Sequence, residues 1–266
     1  MACDTIPHMN IDLILVSLIE GITEFLPISS TAHLIIFSKL FGIDLADSYI
    51  KFYLLFIQLG ALVAGVMLFS KRLLTDRHTC ANICISFLPS AAIGFVLYKS
   101  FKKLLEGNMV LLASMLILGA LVFMYLEKVW VKKEGVKNNL RDTLTKKDAF
   151  IVGVAQAVAI IPGVSRSGAT IIAGMFRGIK KAVIIEYTFL LAIPTLGVAV
   201  LYDAYKSREI FSSISGYGEL GIGFLVAAIS GYFTLSIVKK YLPNISLTAF
   251  GWYRILLAIL VLFWYI

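Results

Sequence analysis

Six long apolar segments recur along the chain, separated by short polar connections. They cover residues 50–70, 80–98, 108–130, 182–204, 217–238 and 245–266. Each approaches the ~20 residues that an α-helix needs to cross about 30 Å of hydrocarbon. The pattern therefore predicts about six transmembrane helices.

Two further apolar regions, residues 11–43 and 148–179, are interrupted by polar residues. The interruptions fall at residues 20–33 and 162–170, and each contains a proline. No half of either region is long enough to span a bilayer, which is typical of re-entrant helices that line a cavity within a protein. We therefore predict an all-α polytopic membrane protein with about six transmembrane helices and two broken re-entrant hairpins.

The composition supports this class of protein. The chain of 266 residues is 59% hydrophobic and 15% charged, whereas soluble domains are about a quarter charged. An outer-membrane barrel would instead show alternating segments of about ten residues. The net charge of +8 suits an anionic membrane face or substrate, and no interleaving of basic and aromatic residues points to nucleic acid. Residues 1–10 lack a basic region, so we expect no cleavable signal peptide.

Basic residues also predict the orientation. They are concentrated at 71–79, 128–147 and 239–240, which lie on one side of the predicted spans, and we assign that side to the cytoplasm. Lysines in the 99–107 connection lie on the opposite side and weaken the assignment.

An internal repeat emerges when the chain is shifted by 136 residues. The aligned pairs include Ser29 with Ser165, Thr31 with Ser167 and Glu20 with Gln156. Three predicted spans separate the copies, so the second copy is inverted, an arrangement that places a binding site near the midplane at the repeat interface. We expect one domain over residues 1–266, with halves at about 9–130 and 148–266 joined by the basic loop 131–147.

The first interruption supplies carboxylates and a helix N-terminus. Glu20 and Glu24 are four residues apart, so on a helix they share one face. Pro27 ends that helix, and His33 falls in the first turn of the next. The next helix is capped by one of three residues, Ser29, Ser30 or Thr31. Ionisable groups at membrane depth are functional candidates, although both carboxylates could instead pair with lysines at an interface.

The second interruption supplies an arginine among hydroxyl groups. Pro162 and Gly163 break the helix, and Arg166 presents a planar fork that suits phosphate oxygens. The neighbouring small and polar residues are Ser165, Ser167, Gly168 and Thr170. The arrangement predicts a phosphate cradle; the structural alternative is a loop whose arginine extends to the membrane interface.

Three further polar residues have open assignments. Glu186 and Arg254 form a buried charge pair, or Arg254 anchors at the lipid headgroups. Gln58 lines the site or bridges two helices.

At the two interruptions the chain resembles the undecaprenyl-diphosphate phosphatase family, membrane enzymes linked to bacitracin resistance. The family pattern E-G-x-T-E-F-L-P-V-S-S-T-G-H corresponds to residues 20–33, and P-G-x-S-R-S-G-A-T is matched in full at residues 162–170. A third pattern, E-[FY]-[ST]-F-L-L-A-[IV]-P, fits residues 186–194. Ala32 stands where the family has glycine, which removes no chemical group.

The resemblance implies hydrolysis of a C55 isoprenyl diphosphate to the monophosphate carrier and inorganic phosphate in the bacterial inner membrane. It also implies recycling of that carrier for peptidoglycan synthesis, with effects on cell shape and bacitracin resistance. A homodimer is left open.

Eleven residues are candidates for the site. The catalytic candidates are Glu20, Glu24, Ser30, His33 and Arg166. The substrate-binding candidates are Ser29, Thr31, Ser165, Ser167, Gly168 and Thr170. We expect His33 to be a general acid or base, and Ser30 to be the nucleophile unless water attacks directly. Glu20 and Glu24 hold a divalent cation, Mg²⁺ or Ca²⁺, or supply a carboxylate base.

Two other functions fit parts of the pattern. An isoprenyl-phosphate transporter or flippase would use the same inverted-repeat site, but the number of reactive groups around Arg166 favours hydrolysis. An intramembrane serine protease would use Ser30 or Ser165 with His33. The chain has no G-x-S-x-G nucleophile elbow, and an arginine beside two carboxylates suits phosphate better than a peptide.

Overall fold

A computed structural model describes residues 10–105, 108–134, 140–206 and 217–265, apart from the side chains of 98–105, 130–134 and 264–265. The α-helices of this part of the chain are α1 (Ile11–Thr23), α2 (Ser30–Leu40), α3 (Ser48–Thr75), α4 (Arg77–Leu105), α5 (Met109–Glu134), α6 (Lys146–Ala157), α7 (Arg166–Phe176), α8 (Lys181–Lys206), α9 (Tyr217–Tyr241) and α10 (Leu247–Tyr265). Short 3₁₀ helices follow α6 (Val158–Ile160) and α9 (Leu242–Asn244).

Five of these helices are long and apolar enough to cross a membrane, namely α3, α4, α5, α8 and α9. α10 is a further apolar helix of 19 residues. All six coincide with the predicted apolar segments. The chain is therefore an all-α polytopic membrane protein, as predicted.

Two predicted connections are shorter than expected. Between α3 and α4 only Asp76 remains of the predicted 71–79 loop. The Asp76 carboxylate accepts hydrogen bonds from the backbone N–H and hydroxyl of Thr79, at 2.9 and 2.6 Å, and so begins α4 directly after α3 ends. The predicted 99–107 connection is also mostly helical, because α4 continues to Leu105.

Each interrupted region forms two short helices. α1 and α2 have 13 and 11 residues, and α6 and α7 have 12 and 11, below the ~20 that a span requires. The first break contains Pro27, which has no N–H to continue a helix. The second contains Gly163 with φ of 93°. A Cβ at Gly163 would lie 2.6 Å from the carbonyl oxygen of Leu112, so the break depends on glycine.

The second half of the chain follows the helix order of the first. Shifting α2 by 136 residues gives the bounds of α7. α3 packs against α8 and α5 against α10, and α1 packs against α9 as α6 packs against α4. A two-fold axis that exchanges α1–α5 with α6–α10 in order produces this packing, because each of these contacts is then exchanged with another one or with itself. The boundaries of the halves at 9–130 and 148–266 stay a prediction.

Aromatic packing anchors the first break. Phe25 is fully buried, and its ring meets that of Phe189 in α8 edge-on with 5.8 Å between centroids. Phe189 in turn lies 6.2 Å from Phe69 of α3. The backbone of the break is therefore fixed against two long helices, next to Glu24.

A buried carboxylate joins the two ends of the second hairpin. Asp148, in the first turn of α6, accepts hydrogen bonds from Arg141 at 2.6 Å and from Arg177, just after α7, at 2.7 Å. Thr145 and Asp148 also form a capping box. Burial by itself would raise the pKa of Asp148, but the hydrogen bonds from Arg141, Thr145 and Arg177 outweigh it and hold that pKa well below its usual value.

Because folding lowers the pKa of Asp148, its stabilisation is fully present above about pH 4, the pKa of an unfolded aspartate, and is lost as the pH falls further. We expect Asp148→Asn to lower the free energy of unfolding at pH 7 by about 1–3 kcal/mol, measured by thermal denaturation in detergent. Asp142→Asn is the control, since the Asp142 side chain is 68% exposed in its pair with Lys180 and such pairs contribute little. Equal changes in Tm for the two variants would contradict this role.

Candidate active site

The two breaks meet at an ion pair. Arg166, the first residue of α7, donates from Nη2 to Oε1 of Glu24 at 3.2 Å. The other carboxylate oxygen of Glu24 accepts a hydrogen bond from the Ser30 hydroxyl at 2.6 Å. The structure thus brings Glu24, Ser30 and Arg166 together, although Arg166 is more than one hundred residues away in sequence.

Unpaired polar atoms surround this ion pair. Glu20 is fully buried beside Glu24, and both of its carboxylate oxygens lack a hydrogen-bond partner. Nε and Nη1 of Arg166 are also buried without a partner. Buried polar atoms without partners are costly and rare in native proteins. Donors of Arg166 and oxygens of Glu20 are therefore available to a ligand.

The N-terminus of α2 also has backbone N–H groups that its N-cap side chain does not bond. Its first residue follows Ser29, whose φ of 73° is the positive value that non-glycine residues rarely adopt. The Ser29 side chain makes no capping hydrogen bond, so it leaves the first amides of α2 to other partners. At α7 the equivalent Ser165 caps the helix through the N–H of Gly168 at 3.2 Å. The α2 end therefore suits an anion better than the α7 end.

Three of the hydroxyl candidates, Ser165, Ser167 and Thr170, bond within the protein. The Ser165 and Ser167 hydroxyls lie 3.0 Å apart, and Ser167 donates to the Leu26 carbonyl at 2.9 Å. Thr170 bonds to Thr188 of α8 at 2.9 Å. These contacts tie the two breaks and α8 together.

Two other substrate-binding candidates differ in exposure. Gly168 packs against Phe123, where a Cβ would lie 2.8 Å from the ring. Thr31 is exposed at the first turn of α2. The substrate-binding assignments of all six candidates stay predictions.

His33 is bonded differently from the other catalytic candidates. It is buried, and its Nδ1 lies 2.8 Å from the Ser29 carbonyl oxygen. Its Nε2 lies 2.7 Å from the hydroxyl of Tyr253 in α10. In this arrangement the side chain bonded to the Ser30 hydroxyl is that of Glu24 and not that of His33.

Arg254 has neither of the two roles considered for it. Glu186 pairs with Arg72 at 2.6 Å and lies 3.9 Å from Lys239. Arg254 is almost fully buried, and its guanidinium donates to backbone carbonyls of α5 and of both breaks. The acceptors are the carbonyl oxygens of Leu116 at 3.3 Å, Met115 at 3.2 Å, Pro27 at 3.5 Å and Gly163 at 2.7 Å.

One guanidinium therefore holds both breaks together. Sequence reasoning missed this role because carbonyl acceptors leave no trace in residue identity. The available signal was an arginine in an apolar segment, which has to find partners within the protein.

The two carboxylates fit a divalent cation that takes only a few of its ligands from the protein. Mg²⁺ is commonly held by one or two carboxylates together with substrate phosphate oxygens and waters. Glu20 and Glu24 are adjacent, and the oxygens of Glu20 have no other partner. Among the described residues no group of three or more His, Cys, Asp or Glu side chains forms a metal site. A cation here would thus depend on the substrate for further ligands.

Comparison with known proteins identifies the family of the chain. Residues 13–260 match the family described as bacitracin resistance protein BacA. A protein from Sulfurihydrogenibium sp. (strain YO3AOP1) is 40% identical over 96% of this chain and 99% of its own length. One from Wolinella succinogenes is 41% identical over 94% of this chain and 96% of its own, and one from Aquifex aeolicus is 39% identical over 92% and 94%. All three are named undecaprenyl-diphosphatase.

The chain therefore belongs to the BacA family, because the family match covers most of its length. The family resemblance inferred from residues 20–33, 162–170 and 186–194 is confirmed.

A substitution at Gly119 of α5 tests whether the Arg254 guanidinium needs the space beside this glycine. A Cβ there would lie 2.8 Å from Cζ of Arg254, so Gly119→Ala should displace the guanidinium and leave carbonyls unpaired. We expect a loss of about 1–3 kcal/mol in stability, measured as a fall in Tm in detergent. Gly94→Ala in α4 is the control, since nothing lies within 4 Å of its Cβ position; it should be neutral or stabilise by about 0.5–1 kcal/mol. Similar Tm values for both variants would rule out the packing constraint.

Proposed function

We propose that this chain hydrolyses undecaprenyl diphosphate to undecaprenyl phosphate and inorganic phosphate. The observation that carries the proposal is the junction of the two breaks, where Arg166 has unpaired donors and Glu24 accepts the Ser30 hydroxyl. The naming of the relatives as undecaprenyl-diphosphatase supports the same reaction.

The diphosphate binds through positive charge and backbone amides. The unpaired Nε and Nη1 of Arg166 donate to oxygens of the terminal phosphate. The uncapped first turn of α2 adds N–H donors and a favourable helix dipole. Both sets of donors are fixed before the reaction and stabilise the charge on the transferring phosphoryl group. The isoprenyl tail lies among the apolar spanning helices.

Glu24 activates the nucleophile in either of two routes. In the first, the Ser30 oxygen attacks the terminal phosphorus, its proton passes to Glu24, and undecaprenyl phosphate leaves; water then hydrolyses the phosphoserine. In the second, a water molecule takes the place of Ser30 and Ser30 acts as a hydrogen-bond donor. The 2.6 Å contact between Ser30 and Glu24 supplies the proton acceptor that the first route requires.

Glu20 and Glu24 would hold the divalent cation, Mg²⁺ or Ca²⁺. When bound, such an ion neutralises phosphate charge and orients the transferring group. The unpaired oxygens of Glu20 support this assignment.

The reaction takes place in the inner membrane of a bacterium and returns the lipid carrier to peptidoglycan synthesis. Recycling of the carrier accounts for an effect on cell wall growth, cell shape and bacitracin resistance. The transporter alternative gains no support from the relatives, which carry the name of a hydrolase.

Loss of either half of the ion pair should abolish hydrolysis. We expect Arg166→Ala and Glu24→Ala each to lower phosphate release from a long isoprenyl diphosphate by at least about a hundredfold, the scale of lost charge stabilisation. Release is measured with purified protein in detergent. Arg72→Ala is the matched control, because Arg72 is 44% exposed and pairs with Glu186 outside the site, and it should keep most of the activity. Near-normal turnover by folded Arg166→Ala protein would overturn the phosphate cradle.

Removal of divalent cations should also stop the reaction. We expect a chelator to abolish phosphate release and added Mg²⁺ or Ca²⁺ to restore it, since Glu20 lies beside Glu24 and both carboxylate oxygens of Glu20 lack a partner within the protein. Glu20→Gln should need more cation for half-maximal activity, because one charged ligand is lost. Full activity of the wild-type protein in excess chelator would exclude the cation and leave Glu24 as a base alone.

A further inference from the structure

The hydrogen bonds of His33 determine its tautomer. A backbone carbonyl only accepts hydrogen bonds, so Nδ1, at 2.8 Å from the Ser29 oxygen, carries the proton. In the neutral imidazole Nε2 is then the unprotonated nitrogen with a single lone pair in the ring plane. The Tyr253 hydroxyl, 2.7 Å away, donates to that lone pair.

Tyr253 covers the reactive nitrogen of His33. The two rings are nearly parallel, with an interplanar angle of 8° and 5.6 Å between centroids. His33 is only 2% exposed, whereas Tyr253 is 41% exposed. Since Nε2 has one lone pair and Tyr253 occupies it, a proton reaches or leaves Nε2 only through the Tyr253 oxygen.

We propose that Tyr253 is the positioning residue through which His33 exchanges protons during hydrolysis. In this step Glu24 releases the proton that it took from the nucleophile, the Tyr253 oxygen accepts that proton, and Tyr253 passes its own proton to Nε2 of His33. The products are a neutral tyrosine and an imidazolium held by Ser29. The reverse transfer protonates a leaving oxygen and restores the starting tautomer. This proposal rests on the hydrolytic function proposed above.

The same helix places both groups that contact the breaks. Tyr253 and Arg254 are neighbours in α10; Arg254 holds the carbonyls of Pro27 and Gly163, and Tyr253 holds His33. The Arg254 contacts therefore also fix the position of the Tyr253 backbone relative to α2.

Tyr253→Phe tests the proposal because it keeps the ring and removes only the hydroxyl. We expect kcat to fall at least about tenfold, with little change in KM; the loss is smaller than the roughly hundredfold or more of a direct general acid or base, because Tyr253 acts through His33. His33→Ala should lower kcat further, and the double variant should be no slower than His33→Ala, since the two residues act as a unit. Tyr232→Phe, an exposed position in α9, is the matched control and should be unchanged. A normal kcat for Tyr253→Phe, or additive losses, would overturn the proton path.

A spectroscopic readout separates this proposal from the proposed function. The chain has three histidines, so ¹⁵N-histidine spectra of protein lacking His8 and His78 report His33 alone. We expect a protonated Nδ1 and an unprotonated, hydrogen-bonded Nε2, whose resonance moves to higher chemical shift in Tyr253→Phe. A protonated Nε2 in the wild type, or an unchanged resonance in the variant, would overturn the proposed pairing. Absence of phosphate release by the wild-type protein would instead overturn the function and with it the role of Tyr253 in hydrolysis.

Discussion

The structure depends on how it satisfies backbone groups at two broken helices in apolar surroundings. A helix break at membrane depth leaves carbonyl groups without helical partners, and this is tolerated only where the protein supplies donors. Arg254 supplies them for both breaks at once, through Pro27 and Gly163, and is accommodated by the missing side chain at Gly119. The two breaks are consequently held in one place, which is the condition for Glu24 and Arg166 to meet.

The two halves contribute different chemistry despite their common helix order. The first half supplies the carboxylates and an uncapped helix end at Ser29. The second supplies Arg166, and its counterpart of Glu20 is Gln156, which is neutral and bonds to Ser90 and Thr195. The two related hairpins therefore differ in their charged groups, with the carboxylates on one side and the guanidinium of Arg166 on the other.

The spans and breaks were predictable because they depend on local properties. Apolar length predicts a spanning helix, and proline or glycine ends one, so the predictions of the six apolar helices and of the two pairs of short helices were correct. The predicted connections at 71–79 and 99–107 were wrong: they begin where the apolar segments end, whereas the helices continue through the polar residues that follow. Charge marks the end of the hydrocarbon region and not the end of the helix.

The sequence by itself determined the class of protein, the two hairpins and the residues that carry charge into them. Its motifs were long and polar enough to identify the family. Only the tertiary structure decided which groups form hydrogen bonds with each other. Ser30 bonds to Glu24, His33 bonds to Tyr253, and Arg254 bonds to carbonyl groups and not to Glu186. The physical reason is that a hydrogen bond depends on distance and direction between atoms far apart in the chain, and carbonyl acceptors are present at every residue.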